Sequence, residues 1–564
     1  MLHLLEALQR RLFGGRLHVW YHPSYRVVCP DVVNSTGLEP RRAELALWAM
    51  DALHHRRRLV LHRPEPAPWR DLCRVHTPEW LERITHPREL SHVYGLDDPN
   101  FPVDDTLTSA RHAVQGTVEA VQHVLQHGGR ALNLSGGFHH AAPDRGGGLC
   151  ALNDLAIALS IVRAGGFTGR VLIIDVDAHP PDGTAACFAG DPSVHIASLS
   201  CATWAALPGV DDTVLPAGTG DEAYLAALDA TLTRAPQAAL ALVLAGSDVL
   251  QGDTLGTFAL TPAGLAERDR RVLHHLGATP QVWLPAGGYR PDAWRPVARL
   301  ILDLLGVKAP LPPDLDPLAE HFRDVAHTLD PTWLADEPPL QDELDVMFGG
   351  RPAATRMLGF YTRPGVELAL ERYGLLEHIR RLGYARLHVT LDHNDIGDRF
   401  RLSGEADGQT WLLAESVLAI EPLHGRRWLM IHWLTLRHPR GRFSRDPLPG
   451  QDVPGLGLGR EALELHARVA ERLGLAGLLL RPAHAHVAWA ARVRFRFLDP
   501  AVEATWLALV RDLGHLGAAK LSQAVAEGRV LRDGVPWGWT GEAMCWPPGP
   551  DVAAGLERFT LRAA

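Results

Sequence analysis

A chain of 564 residues is long enough for more than one hydrophobic core. Its formal net charge of -9, with 21% charged residues, fits a globular protein and excludes a basic nucleic-acid platform, because phosphate binding needs a positive stripe. The six cysteines Cys29, Cys73, Cys150, Cys187, Cys201 and Cys545 show no CxxC spacing, so neither a zinc ribbon nor a disulfide framework is signalled, and a reducing cytoplasm fits.

Residues 1–12 read as a short amphipathic helix rather than a signal peptide, since Glu6 and the Arg10-Arg11 pair interrupt the apolar residues. No apolar run approaches membrane-spanning length. From about residue 16 to 306, short apolar runs alternate with helical patterns, as in α/β folds. Four runs predict buried parallel strands. The run 129–135 precedes Gly136-Gly137-Phe138-His139-His140, and 170–174 precedes Asp175-Val176-Asp177-Ala178-His179. The run 238–244 precedes Ala245-Gly246-Ser247-Asp248, and 281–284 precedes Pro285-Ala286-Gly287-Gly288-Tyr289. Residues 149–163 and 221–232 have helical spacing. Ligands of such sheets bind beyond the carboxyl ends of the strands. The runs therefore predict one pocket receiving His, Asp and Tyr from four strands.

Composition turns Pro-rich near Val307-Lys308-Ala309-Pro310, which predicts a boundary. The expected organisation is a catalytic domain over 1–306, a Pro- and acid-rich connector over 307–350, and a second α/β (α+β) domain over 351–564. In the second region, strands are expected at 385–391, 410–420 and 428–436, and a helix at 460–473. There Asp392 to Asp398 reads as a solvated turn, and His484 and His486 could share a strand face but, without a third ligand, are read as structural. Trp537, Trp539 and Trp546 read as packing anchors. Gly455-Leu456-Gly457-Leu458-Gly459, ahead of the helix, is an anion-binding candidate. It resembles the acetyl-coenzyme A loop of the GNAT acetyltransferases, although Asp452 stands where that loop has Gln or Arg.

The chemistry concentrates in the first region. Asp177 and His179, two apart after a strand, share a face, and Asp248 adds a third ligand from another strand end. Three protein ligands with a fourth position open is the arrangement of catalytic zinc, and the donor set also suits Fe(II), Co(II) or Mn(II). Asp175 and Asp182 add carboxylates that call for imidazole partners, which His139 and His140 supply. Tyr289, after Gly287-Gly288, offers a phenol to a developing oxyanion.

These motifs resemble those of the histone deacetylases, in the family's order over about residues 16–306. His139-His-Ala-Ala-Pro-Asp-Arg-Gly-Gly-Gly-Leu-Cys150 looks like the class IV branch, and 246–256, 260–264 and the segment around His76-Thr-Pro-Glu-Trp80 also resemble family segments. The resemblance implies an arginase/deacetylase-like parallel sheet flanked by helices. It implies that Asp177, His179 and Asp248 hold zinc, and that Tyr289 stabilises the transition state. His139 and His140 match the acid/base histidines, with Asp175 and Asp182 as their carboxylates. Asp175, Asp177, His179, Ser198 and the Leu199 carbonyl match a structural potassium site. Gly148, Leu149, Cys150, Gly287 and Gly288 match the acyl-lysine channel.

Two departures stand out. Pro180-Pro181 replaces a more polar, Gly-containing loop, and the early loop 32–40 lacks the family's usual stretch at the channel rim. The expected activity is metal-dependent hydrolysis of a linear amide, with acylated lysine of a protein or peptide as substrate. A small acetylated amine such as an acetylpolyamine is the enzymatic alternative, and a non-catalytic acyl-lysine binding module the other. No nucleic-acid or membrane partner is expected, and arginase-like dimetal chemistry is disfavoured because the second-metal Asp residues are missing.

Overall fold

The computed structural model describes residues 16–26, 29–201, 207, 209–335, 356–443, 447–549 and 552–562. The amphipathic helix expected over 1–12 lies outside the described residues. The chain divides into two compact units, 1–317 and 318–564.

The first unit holds eight strands: β1 (Leu17–Trp20), β2 (Leu59–His62), β3 (Arg130–Asn133), β4 (Val171–Asp175), β5 (Val194–Ser200), β6 (Val210–Val214), β7 (Leu240–Leu244) and β8 (Gln281–Leu284). They form one sheet in the order β2-β1-β3-β8-β7-β4-β5-β6, every neighbouring pair parallel. All five residues of β4 and of β7 are buried, which explains their unbroken apolar sequence: a strand covered on both faces cannot alternate. The four strands expected to carry the site, β3, β8, β7 and β4, are consecutive neighbours in the middle of the sheet.

Helices flank the sheet: α1 (Pro30–Thr36), α2 (Arg42–Ala52), α3 (Val103–His127), α4 (Asp154–Ala164), α5 (Asp182–Cys187), α6 (Asp221–Arg234), α7 (Pro262–Leu276) and α8 (Trp294–Leu304). In α3, Ala110, Val114, Val118, Val121 and Val124 recur at three- and four-residue spacing and are buried against the core that holds Ile173, Leu242 and Val282. The helix expected over 149–163 starts five residues later, at Asp154. Gly148 and Leu149 have φ of +52° and +68°, which no helix tolerates, and the Asn153 side chain caps the helix by accepting from the Ala156 amide.

The second unit includes two helices from the stretch expected as a connector, α9 (Pro317–Thr328) and α10 (Pro331–Ala335), while 336–350 lie outside the described residues. Next come α11 (Arg363–Arg372) and α12 (Leu375–Arg381). Four long antiparallel strands follow: β9 (Ala385–His393), β10 (Asp398–Ala406), β11 (Gln409–Leu423) and β12 (Arg426–Leu436). Helix α13 (Gly459–Arg472) then crosses over to β13 (Leu478–Leu480), which is parallel to β12. The pair is bonded only from Leu429 to Ile431 and from Leu478 to Leu480, so the two strands part beyond those residues.

Helix α14 (Ala485–Ala491), β14 (Arg496–Phe497), helices α15 (Pro500–Leu513) and α16 (Gly517–Ala526), β15 (Val530–Arg532), β16 (Val535–Pro536), β17 (Met544–Trp546) and β18 (Phe559–Leu561) follow, and the main sheet of the unit runs β14-β17-β13-β12-β11-β10-β9.

His484 and His486 do not share a strand face. His484 is the N-cap of α14 and the two rings stack at 5.4 Å, because the strand before them already ends at Leu480. Asp392 to Asp398 spans the β9–β10 turn at 394–397 and the strand ends beside it, where Asp392 is held by Arg399 and Arg401 and His393 by Asp398. Trp539 packs its edge on Phe497 and Trp506 and donates to the Pro482 carbonyl. Among the described residues, no helix is long and apolar enough to cross a membrane.

Candidate metal centre and catalytic site

The chain reversals after β3, β4, β7 and β8 bring the expected residues together. His179 Nδ1 lies 3.1 Å from Asp177 Oδ1 and 3.0 Å from Asp248 Oδ2. Among the described residues this is the one trio whose ligand atoms all lie within 4.8 Å of one another. Asp177 and Asp248 are buried. Their other oxygens accept backbone amides, Gly287 N on Asp177 Oδ2 at 2.7 Å and Ala178 N on Asp248 Oδ1 at 3.1 Å, which fixes both carboxylates.

Space here is exhausted. A Cβ on Gly287 would stand 2.5 Å from Asp248 Oδ2 and 2.6 Å from Asp177 Oδ2. Burial and the neighbouring Asp177 charge push Asp248 up to about 7. At His179 burial opposes the charge, but hydrogen bonds to the two carboxylates outweigh it and push the imidazole up to about 11. Two buried carboxylates this close need positive charge between them. An oxygen, a nitrogen and an oxygen facing one point fit a borderline divalent ion.

Two histidine–carboxylate pairs adjoin the trio. His139 Nδ1 is 2.8 Å from Asp175 Oδ2, and His140 Nδ1 is 2.6 Å from Asp182 Oδ1, with the two rings 4.1 Å apart. Asp182 reaches His140 in spite of Pro180-Pro181, since the second proline caps α5 and Asp182 opens that helix. The environments split the pair. At His139 burial opposes the proton but Asp175 and Asp177 prevail and hold it at about 9. Burial and the adjacent His139 press His140 down to about 4.

Tyr289 lines a cavity of about 130 Å³ together with Phe138, His139, Gly148, Leu149 and Asp177. Burial, then the charges of Asp177 and Asp248, keep its phenol protonated far above neutral pH. Cys150 is buried and its thiol is pushed up by burial, so it stays neutral and donates toward the Gly148 carbonyl. Gly148 is confined: a Cβ there would stand 2.3 Å from His140 Cδ2. Ser198 lies beside Asp175 in the β4–β5 register, with Leu199 next along β5.

Three supporting groups escaped the sequence reading. Asp154 is buried and accepts from Gly137 N, Phe138 N and Thr117 Oγ1, pinning the turn that presents His139. Asp253 accepts the Tyr289 amide at 2.8 Å; its Gly252-Asp253-Thr254 setting carried the signal. Arg42 donates to the Ala286 carbonyl at 2.6 Å, and nothing near it in sequence announces that.

His76, by contrast, lies in a segment singled out from sequence. Its Nδ1 is 3.0 Å from the Ala142 carbonyl and its Nε2 accepts the Asn153 amide at 2.9 Å, bracing the loop from His140 to Asn153. Accepting that amide requires a neutral ring, and burial lowers the pKa from 6.5 to about 4. The unfolded chain thus binds the proton first, so stability falls as pH drops from about 6.5 to about 4. The expected loss is about 3 kcal/mol over that window, read by urea denaturation at a series of pH values. His76→Gln is expected to reduce that slope, to which His18 and His140 also contribute; an unchanged slope contradicts the assignment.

A model of the histone deacetylase domain matches residues 37–305. An uncharacterised protein of Picosynechococcus sp. is 34% identical over 284 residues, covering 48% of this chain and 91% of that protein. A probable deacetylase of Archaeoglobus fulgidus is 31% identical over 260 residues, covering 42% of this chain and 71% of that protein. Histone deacetylase 2 of Arabidopsis thaliana is 31% identical over 250 residues, covering 42% and 64%. Among solved structures, a histone deacetylase homologue from Aquifex aeolicus is 25% identical with a TM-score of 0.45, covering 52% of this chain and 85% of that one. The domain match over residues 37–305 and the Archaeoglobus fulgidus relative, with the Asp177–His179–Asp248 trio, establish that the chain belongs to the histone deacetylase family of hydrolases.

Proposed function

We propose that this protein removes acyl groups from lysine side chains of a protein or peptide by zinc-assisted hydrolysis. The observation that carries the reading is the juxtaposition of one ligand trio with two histidine–carboxylate pairs of opposite proton affinity beside a single cavity. Asp177, His179 and Asp248 hold the ion, which supplies Lewis acidity toward the acyl carbonyl and makes water more acidic. His140 is neutral at pH 7, and its Nδ1 is engaged by Asp182, so Nε2 accepts the proton of the attacking water. His139, paired with Asp175, carries the proton given to the departing amine. Tyr289 donates to the carbonyl oxygen as negative charge gathers there. Gly148, Leu149, Gly287 and Gly288 wall the lysine stem, and Cys150 sits at the acyl end. Asp175, Ser198 and the Leu199 carbonyl, with Asp177 and His179, hold a structural potassium ion.

The test is a panel of acyl-lysine peptides of increasing chain length and of acetylpolyamines, offered to the purified zinc-loaded protein. Turnover of the peptides with kcat/KM well above that of the polyamines supports the reading. The reverse order makes the protein a small-molecule amidohydrolase, and binding of acyl-lysine without turnover makes it a binding module.

A further inference from the structure

A cluster of imidazole side chains lies in the first unit, where β1 and the edge strand β2 meet α3. His18 stands on β1, His62 on β2, and His123 and His127 one turn apart on α3. His18 Nδ1 is 2.9 Å from His62 Nε2. The His123 ring lies 4.0 Å from that of His18, 6.1 Å from that of His62 and 4.7 Å from that of His127. Trp20 stacks on His62 at 4.3 Å and donates its indole N–H to Glu119, whose other oxygen accepts from Gln115. The carboxylate is thereby engaged outside the ring cluster.

We propose that His18, His62 and His123 bind a second divalent transition-metal ion of the imidazole-preferring class, Zn²⁺, Ni²⁺ or Cu²⁺, with His127 or water completing the shell. Two nitrogens at 2.9 Å are as close as His179 and its carboxylate partners are at the catalytic trio. That spacing suits either one hydrogen bond between neutral rings or two lone pairs aimed at one ion. Ligation needs neutral imidazoles. The surroundings keep them so: burial, then the neighbouring histidines, lower His18 to about 4, and burial lowers His62 and His123 as well. Around the cluster, Arg16 disfavours protonation of His18, and Glu119 favours that of His62. As the rings stand, three nitrogens do not all lie within 4.8 Å of one another. Closing the site requires His123 to turn about χ2, a soft torsion for an imidazole, in a cluster that is only half-buried. Imidazoles from two strands and a helix would then be clipped by one ion at the sheet edge.

The experiment counts ions on the full chain. After loading with Zn²⁺ and gel filtration, elemental analysis is expected to give two ions per chain for the natural sequence. One ion is expected for a His62→Gln, His123→Gln double variant, and one for Asp177→Asn. One ion in the natural protein, or two in the histidine variant, overturns the proposal. So does a second site that fills only above about 1 mM, the range of casual surface chelation. Should the double variant fail to fold, Cu²⁺ added to the natural protein carrying one equivalent of Zn²⁺ decides: its electron paramagnetic resonance spectrum is expected to show coupling to at least two imidazole nitrogens, and coupling to fewer than two refutes the site.

Discussion

Asp177→Asn is expected to cost the chain one bound ion and to lower hydrolysis on the order of 10³-fold or more. The substitution keeps the shape, so the Gly287 amide still finds an oxygen, but removes the charge that faces His179. Metal chemistry of this kind supplies several kcal/mol of transition-state stabilisation, and each 1.4 kcal/mol is about a factor of ten. Elemental analysis beside a deacylation assay checks both, with circular dichroism as the control for folding. Undiminished metal content in a folded variant would remove Asp177 from the ligand set.

Tyr289→Phe is expected to leave the metal content intact and to lower kcat on the order of 10²- to 10³-fold with little change in KM. The phenol is held protonated by burial and by the charges of Asp177 and Asp248, so it is a hydrogen-bond donor throughout the working pH range. Its partner becomes a strong acceptor only as the carbonyl carbon turns tetrahedral, which places the loss in kcat. The loop carrying it is fixed by the Asp253 carboxylate on the Tyr289 amide, so removing the hydroxyl should not release the backbone. A variant with natural kcat means that the hydroxyl does not reach the reacting oxygen. A rise in KM alone means that it contributes only to substrate binding.

The central strands were legible because burial on both faces leaves an uninterrupted apolar signature, as in Val171 to Ile174 and Leu240 to Leu244. The ligand trio was legible because two of its members are two residues apart and the third follows another such run. The supporting groups were harder to see. Arg42 meets the Ala286 carbonyl across 244 residues of sequence, and only the folded sheet brings them together. Asp154 lies inside a stretch expected only as a helix, yet two of its three bonds go to amides of the loop before His139. The start of α4 was missed because Leu149 adopts a left-handed backbone that no side-chain pattern reveals. In the second unit, β9, β11, β12 and α13 announced themselves by composition, whereas β10 did not. The pairing of β12 with β13 did not, because it joins residues nearly fifty positions apart over only three rungs.

That short pairing leaves an edge in the interior of a sheet. Past Ile431, β12 runs on to Leu436 bonded to β11 alone, while β13 stops at Leu480. Alternate amides of β12 therefore point into the opening rather than at a neighbour. The turn that ends at Gly459 closes over the same end, held by the His438 amide on the Pro454 carbonyl and by His378 on the Leu456 carbonyl. Protection against hydrogen exchange should consequently break within a single strand: firm from Leu429 to Ile431, weaker at the gap-facing amides beyond. The seven-stranded sheet would then exchange at the mouth of the fork in its middle as well as along its outer strands.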